Sequence, residues 1–187
     1  KISNPDLLSV DKYSTSRKDI LAYGLRNPWK TFEYKNYLFV PDVGKSYEEE
    51  LNVVDLNLFS ETSKPFLMGW PHFEATIDND INFNQILLHS NGKSENIKNY
   101  ILENSLIPNV FYSHEAPENF RAAIIGGGVI TDQNSNYFEN YFFADFASAE
   151  LFAYDFLNNK LTVIPLGDLD SYIASIAINP LDQDSIL

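Results

Sequence analysis

Short apolar runs separated by turn residues recur along most of this sequence, and they constrain its fold more than any other feature. The runs are rich in aromatic and β-branched residues, which fit a pleated and half-buried surface. They return at intervals of roughly ten residues, as in proteins built from many short strands. The predicted strands are 20–25, 31–34, 37–40, 48–54, 110–112, 122–130, 141–143, 151–156, 161–164 and 173–178. This series predicts an all-β fold, which is a sandwich, a barrel or a β-propeller.

Strand character weakens in the middle of the chain, where the sequence predicts a loop insertion near 78–108. Within it, Ile97, Tyr100 and Ile101 follow Ser94 at helical spacing. This pattern predicts one short helix with Ser94 as its cap. We expect residues 1–187, including this insertion, to form a single domain.

The length and the ends of the chain favour a propeller over a closed small fold. A blade takes about 40–50 residues in four strands, so 187 residues supply about four blades. The sequence begins in a polar connecting segment and stops at residues 185–187, which have the pattern of a new strand. Because an unfinished ring leaves unpaired strand edges, we expect the chain to be a portion of a larger ring.

Composition excludes several kinds of site. A net charge of −13 without a basic cluster argues against a nucleic-acid partner, whereas an acidic shell favours cations such as calcium. The absence of cysteine excludes disulfides, zinc–thiolate centres and thiol nucleophiles. No apolar stretch approaches the ~20 residues that a membrane span needs.

Several short motifs occur in a fixed order along the chain. They are Tyr23-Gly24-Leu25-Arg26-Asn27-Pro28-Trp29, Asp42-Val43-Gly44, Gly69-Trp70-Pro71, Tyr112-Ser113-His114, and the strands at 125–129 and 141–146. In their order and spacing, from about residue 20 to residue 180, the chain resembles the soluble quinoprotein glucose dehydrogenases and the aldose sugar dehydrogenases that depend on pyrroloquinoline quinone (PQQ). The resemblance implies a six-bladed β-propeller that binds PQQ and calcium and oxidises a sugar substrate at its anomeric carbon.

The resemblance also assigns roles to individual residues. Arg26 and Asn27 match an arginine–asparagine pair that contacts PQQ. Gly44 and Lys45 match two positions whose main-chain carbonyls bind the active-site calcium. Asp78, together with positions 74 and 76, falls where some members bind a second, structural calcium.

The catalytic residues of the family lie outside this sequence. Its catalytic histidine belongs to blades that precede residue 1, so we assign no catalytic residue here and expect an oxidoreductase only in the complete chain. The partners implied are a sugar and the remaining propeller blades, and a homo-oligomer stays open. The resemblance implies a periplasmic or extracellular location.

Two departures support an alternative function. One branch of the family holds the anionic cofactor with cations at positions where this chain has residues 147–149 and 171–175, and neither stretch contains lysine or arginine. The alternative is a non-catalytic β-propeller of the same ancestry that serves as a binding or assembly module and has lost PQQ binding. A hydrolase that uses a calcium-held water would need several convergent carboxylates, which the sequence does not visibly supply.

Three further features have ordinary structural interpretations. The run Glu48 to Glu50 is expected to form a solvated face. His114 is expected to be a packing or turn histidine, since no second histidine follows at the spacing of a zinc site. The glycines at 126–128 lack the lysine and hydroxyl residue of a phosphate loop, and close strand packing explains them better.

Overall fold

Regular structure in the computed structural model is almost entirely β. The structure describes residues 20–62, 65–78, 101–115, 120–166, 171–179, 182 and 185–186. The strands are β1 (Ala22–Tyr23), β2 (Phe32–Tyr34), β3 (Tyr37–Asp42), β4 (Glu48–Asp55), β5 (Phe66–Leu67), β6 (Phe73–Glu74), β7 (Ile77–Asp78), β8 (Val110–Ser113), β9 (Ile124–Val129), β10 (Asn140–Asp145), β11 (Leu151–Asp155) and β12 (Lys160–Ile164). Among the described residues, a helix, α1, spans Leu56–Thr62, and residues 101–104 are also helical. The all-β prediction is confirmed in its general form, as mostly β with several antiparallel sheets and few helices.

The first four-stranded sheet is built on the β2–β3 hairpin. Its turn contains Lys35, which adopts a φ of 54°, and its register pairs Phe32 with Phe39 and Tyr34 with Tyr37. Strand β4 pairs with β3, and β8 pairs with β4, so the strand order is β2-β3-β4-β8. The chain leaves this sheet after β4 and returns at β8, so residues 56–109 are inserted between two neighbouring strands.

The second four-stranded sheet is an antiparallel meander. Strands β9 to β12 follow one another in space as they do in sequence. The register between β9 and β10 shifts by one residue between Phe142 and Phe143, which leaves Gly127 as the extra residue. Such a bulge increases the local twist of the sheet.

Aromatic rings fill the space between these two sheets. The ring of Phe39 in the first sheet stacks on Tyr141 in the second, with centroids 4.3 Å apart and an interplanar angle of 11°. Tyr112 of β8 stacks in the same way on Phe152 of β11, at 5.5 Å. All four rings are buried. Offset stacks of this kind add to the stabilisation from buried apolar area.

The glycines at the start of β9 permit close packing, as the sequence predicts. A methyl group at Gly126 would lie 2.9 Å from Cγ of Pro41 and 3.0 Å from the carbonyl oxygen of Trp29. A methyl group at Gly127 would lie 2.6 Å from Cδ1 of Ile176. Larger residues at either position would push β9 away from its neighbours.

Apolar residues of the segment 171–179 cover the other face of the second sheet. Ile176 belongs to a buried cluster with Ile125 and Phe142, and Ile173 and Ile178 pack against it. The predicted strand at 173–178 is nevertheless wrong, since the described residues show only a single bridge between 178 and 186. The isoleucines of this segment pack on the face of a sheet, and such burial does not require a hydrogen-bonded neighbour strand.

The chain forms two compact units. Residues 1–25 and 57–107 make one unit, and residues 26–56 and 108–187, which contain both four-stranded sheets, make the other. In the first unit, β1 and β5 pair in parallel, and the predicted strand at 20–25 is reduced to the two residues of β1. Gly24, at a φ of 81°, accepts a hydrogen bond at 2.9 Å from the Trp70 N–H. A methyl group at Gly24 would lie 3.1 Å from the Gly69 nitrogen, so the two glycine motifs meet side by side.

Candidate functional site

The open end of the β2–β3 hairpin continues beyond its regular strands. Pro28 bridges to Asp42, and the Val43 N–H donates to the Asn27 carbonyl at 3.1 Å. One extra residue lies on the first strand between this bridge and the β2 pairs, and Lys30 has a φ of 59° there. Such a bulge shifts the register by one. As a result, positions 26 and 44, eighteen residues apart in sequence, face each other.

The buried carboxylate of Asp42 holds this hairpin end in place. Its Oδ2 accepts a hydrogen bond from the Arg26 main-chain N–H at 2.8 Å, and its Oδ1 accepts one from the Asn27 N–H at 2.6 Å. Burial raises the pKa of the Asp42 carboxyl, while the two N–H donors act in the opposite direction. The turn is therefore fixed through the main chain, whatever the side chains of residues 26 and 27 do.

The guanidinium group of Arg26 contacts the opposite strand of the hairpin. Its Nη1 donates to the carbonyl oxygen of Val43 at 2.9 Å and to that of Gly44 at 2.8 Å. Arg26, Asn27 and Lys45 are all exposed. A guanidinium, an amide and an ammonium group at one hairpin end form an arrangement that can bind a carboxylate-bearing ligand.

A second carboxylate, which is fully buried, binds the loop that follows β3. Glu49 is 0% exposed, and its Oε2 accepts hydrogen bonds from the N–H groups of Gly44 at 3.1 Å and Ile124 at 3.0 Å. Its Oε1 accepts one from the Ala123 N–H at 2.9 Å and lies 2.7 Å from Nε2 of His114. Glu49 thus ties the loop after β3 to the first strand of the second sheet.

The expectation of a solvated face at Glu48 to Glu50 is wrong. All three residues are buried, with 8%, 0% and 6% of their surface exposed. The reason is that β4 is an inner strand of its sheet, and its first residues are flanked by β8 and by the loop before β9. His114 is buried against Glu49, which agrees with its expected packing role.

Asp145 plays a comparable part at the end of β10. Its Oδ1 accepts hydrogen bonds from the N–H groups of Ala122 at 3.1 Å and Ser148 at 2.9 Å, and its Oδ2 accepts one from the Tyr112 hydroxyl at 3.1 Å. Burial raises the pKa of the Asp145 carboxyl. Burial, together with the neighbouring Asp145 carboxylate, also raises the pKa of Tyr112 well above its ordinary value. The hydroxyl therefore remains a proton donor to Asp145.

An ion pair closes this end of the second sheet. Arg121 donates through Nε and Nη2 to the two oxygens of Glu150, at 2.5 and 2.7 Å. The bidentate bond lowers the pKa of the Glu150 carboxyl. The turn at 147–149 joins β10 to β11 and contains no lysine or arginine. It lies between Asp145 and Glu150 in the sequence.

The structure brings four of the five predicted site residues together. Arg26, Asn27, Gly44 and Lys45 meet at the open end of one hairpin. Asp78 belongs to the other compact unit, where it ends β7 and pairs with Phe73. No group of three or more His, Cys, Asp or Glu side chains suited to a metal occurs among the described residues. Calcium at positions 44 and 45 would therefore depend on main-chain carbonyls.

Sequence reasoning missed the carboxylates that shape this site. Asp42 and Asp145 are each the last residue of a strand, and Glu49 is the second residue of one. All three lie at the same end of the two sheets and accept main-chain N–H groups of adjacent loops. An acidic residue at the boundary of an apolar strand was the signal available in the sequence, since such a carboxylate can satisfy loop donors that have no strand partner.

Comparisons with known proteins give a distant structural likeness. No family model matches the sequence, and no curated protein matches it. Among solved structures, the chain is similar to the PQQ-bound form of an aldose sugar dehydrogenase from Streptomyces coelicolor, with a TM-score of 0.49 and 14% sequence identity. The likeness covers 84% of this chain and 35% of that chain. The chain thus spans about a third of the length of that protein.

A search of the described residues for membrane-crossing helices finds none that is sufficiently long and apolar.

Proposed function

We propose that this chain contributes blades to a β-propeller of the PQQ- and calcium-dependent sugar dehydrogenase type, which oxidises an aldose at its anomeric carbon. The observation that carries the proposal is the meeting of Arg26, Asn27, Gly44 and Lys45 at one hairpin end. The motif resemblance had assigned these residues to one cofactor and one metal from sequence alone. Two adjacent four-stranded antiparallel sheets, packed face to face, also suit consecutive propeller blades.

The hairpin end fits an anionic cofactor. The main chain at Arg26 and Asn27 is fixed by Asp42, so their exposed side chains can bind a carboxylate without any rearrangement of the turn. A charge-assisted hydrogen bond between guanidinium and carboxylate contributes about 1.5–3 kcal/mol. When bound, PQQ would supply the hydride acceptor and calcium would polarise it. In this proposal the chain's own residues bind and orient the cofactor.

The calcium position fits on one condition. The carbonyl of Gly44 points to the hairpin end, but its oxygen already accepts a hydrogen bond from Arg26. A metal can use this oxygen only when the guanidinium group has released it. Calcium binding in our proposal therefore requires a second position for the Arg26 side chain.

A spectroscopic titration of the full-length protein tests the proposal. Addition of PQQ in the presence of calcium should change the absorbance of the quinone, and the loaded protein should reduce a dye when aldoses are added. Arg26→Met should weaken PQQ binding by roughly 10- to 100-fold, which corresponds to one charge-assisted bond. Lys160→Met removes the same charge from an exposed position on β12 and should have little effect. Absence of any spectral change in the wild-type protein would refute the proposal.

A second candidate is a non-catalytic propeller module that has lost PQQ binding. It is favoured by the turn at 147–149, whose N–H groups and serine hydroxyl bind the Asp145 carboxylate and which offers no cation to an anionic cofactor. For this candidate, the titration should show no PQQ binding in a protein that is otherwise stably folded. The same experiment therefore separates the two functions. Under the first one, we also propose a periplasmic or extracellular location.

A further inference from the structure

We infer that Phe146 and Tyr172 form an aromatic platform that binds the ring of a sugar. The two side-chain rings are nearly parallel, with centroids 4.9 Å apart and an interplanar angle of 8°. Both residues are exposed to solvent, Phe146 over 38% of its surface and Tyr172 over 68%. The choice of a sugar as the ligand rests on the proposed function, whereas the aromatic platform itself is a feature of the structure.

The exposure of this pair distinguishes it from the stacked rings between the two sheets. Those rings, such as Phe39 on Tyr141, are buried and belong to the core. In the aromatic platform, Phe146 covers one face of the Tyr172 ring, and the large exposed fraction of Tyr172 leaves the opposite face open. Aromatic side chains with an open face line many small-molecule sites, and exposed apolar surface is a mark of ligand binding.

The position of Phe146 is fixed by the network that shapes the candidate site. Its main-chain N–H donates to the carbonyl oxygen of Ala123 at 3.0 Å. The Ala123 N–H in turn donates to the buried Glu49 carboxylate, which also accepts the Gly44 N–H. Phe146 is therefore connected to the open end of the β2–β3 hairpin through main-chain groups and one buried carboxylate.

The segment that carries Tyr172 is attached to the same hairpin. The ammonium group of Lys30, the bulge residue, donates to the carbonyl oxygen of Ile176 and lies 3.4 Å from the Ser175 hydroxyl oxygen. The side chain of Ile176 is buried against the second sheet. Both rings of the aromatic platform are thus held in place before any ligand arrives, which lowers the entropy cost of binding.

The chemistry of an aromatic face favours a neutral ring with C–H groups. The face carries the negative side of the ring quadrupole, so it attracts the C–H groups of a pyranose and repels the oxygens of an anion. An ammonium ligand is the rival, since cations also bind aromatic faces. However, the acidic residues that flank the turn after Phe146 are already bonded, Asp145 to main-chain N–H groups and Glu150 to Arg121. Neither carboxylate is available to a cationic ligand.

Saturation-transfer difference NMR on the full-length protein without PQQ tests the inference. The probe is methyl β-D-glucopyranoside, whose blocked anomeric carbon prevents oxidation, and D-glucitol and choline serve as comparison ligands. We expect saturation to reach the C–H protons of the glucoside ring, and much less to reach glucitol, which has similar hydroxyl groups but no ring.

Substitutions assign the binding to the aromatic platform. Tyr172→Ala should weaken binding of the glucoside by about tenfold, as expected for loss of a stacked ring, whereas Tyr172→Phe keeps the ring and should stay within about twofold of the wild type. Tyr137→Ala is the matched control, because it removes an exposed ring that precedes β10, whereas Phe146 follows this strand. It should bind as the wild type does, and thermal unfolding verifies that each variant is folded.

The outcomes separate this inference from the proposed function. Equal affinity of the wild type and Tyr172→Ala for the glucoside would overturn the inference, as would saturation of choline without saturation of the glucoside. Absence of saturation transfer to the glucoside in the wild type would overturn it as well. None of these results depends on PQQ, so the PQQ titration decides the proposed function independently.

Discussion

Replacement of Glu49 by glutamine should destabilise the protein more than any other conservative change at this end of the sheets. The carboxylate is completely buried and has four partners, two at each oxygen. A glutamine keeps one acceptor oxygen and places an amide donor where the other oxygen was. In the best orientation, the amide donates to His114 and only the Ala123 N–H loses its acceptor. In the other orientation, the N–H groups of Gly44 and Ile124 both lose their acceptor.

The magnitude follows from these two cases. A buried N–H without a partner costs about 1–3 kcal/mol, and the weakening of the remaining bonds from charged to neutral adds about 1 kcal/mol. We therefore expect Glu49→Gln to lower the free energy of unfolding by about 2–5 kcal/mol. For a protein of this size, 1 kcal/mol corresponds to roughly 2–4 °C in Tm, so a loss of ~3 kcal/mol should lower Tm by about 6–12 °C.

Urea denaturation and thermal unfolding at pH 7 measure this loss. Glu33→Gln is the matched control, because this substitution makes the same change in charge and shape at an exposed residue of β2. It should alter the free energy of unfolding by no more than about 0.5 kcal/mol. If Glu49→Gln unfolds within 1 kcal/mol of the Glu33→Gln variant, the hydrogen-bond network around Glu49 does not stabilise the fold as we describe.

Three further predictions test other parts of the structure. Gly126→Ala should destabilise the protein by about 1–3 kcal/mol in urea titrations, because its methyl group would clash with the main-chain oxygen of Lys30 and also meet that of Trp29. Gly128→Ala should cost less, since the nearest atom there is a side-chain carbon at 3.1 Å, and the opposite ranking would contradict the close approach of β9. Glu150→Gln should lower Tm at pH 7. The difference in Tm between wild type and variant should disappear as the pH falls below about 4.5 and through the lowered pKa of folded Glu150, because protonated Glu150 loses its charge-assisted bond to Arg121. A difference in Tm that does not depend on pH would argue against this ion pair. Asp42→Asn removes one of the two acceptors that hold the hairpin end, so amide hydrogen exchange at residues 26 and 27 should become faster, and unchanged exchange would show that the turn does not depend on the carboxylate.

Many of the strand positions could be predicted from sequence because each strand is marked by its own residues. The alternation around the Lys35 turn predicts β2 and β3 nearly to the residue, and β4 and the four strands of the second sheet follow from their apolar runs. The one-residue bulge at Lys30 could not be predicted, since nothing in its sequence requires a positive φ. Without the bulge, a hairpin with this turn would place Arg26 opposite Lys45 instead of Gly44.

An acidic residue at a strand boundary marks a candidate, but the burial of these carboxylates could not be predicted, for a different reason. A glutamate on a strand is usually solvated, because burial of a charge is costly unless several donors converge on it. The donors of Glu49 come from residues 44, 123 and 124, which are brought together by tertiary packing alone. Local sequence patterns report which residues form a strand, but they do not report which distant main-chain N–H groups that strand will meet.

The same burial bears on how the proposed anion site could operate on a chain with a net charge of −13. At the open end of the β2–β3 hairpin, the carboxylates of Asp42 and Glu49 are buried and accept main-chain N–H donors, so their oxygens are already hydrogen-bonded within the fold. Among the residues that the structure describes at this hairpin end, Arg26 and Lys45 carry exposed cationic side chains. A positive spot on an acidic surface acts over about one Debye length, ~8 Å at physiological ionic strength. Binding of a carboxylate-bearing ligand should therefore weaken as salt is raised, even though the protein as a whole repels anions.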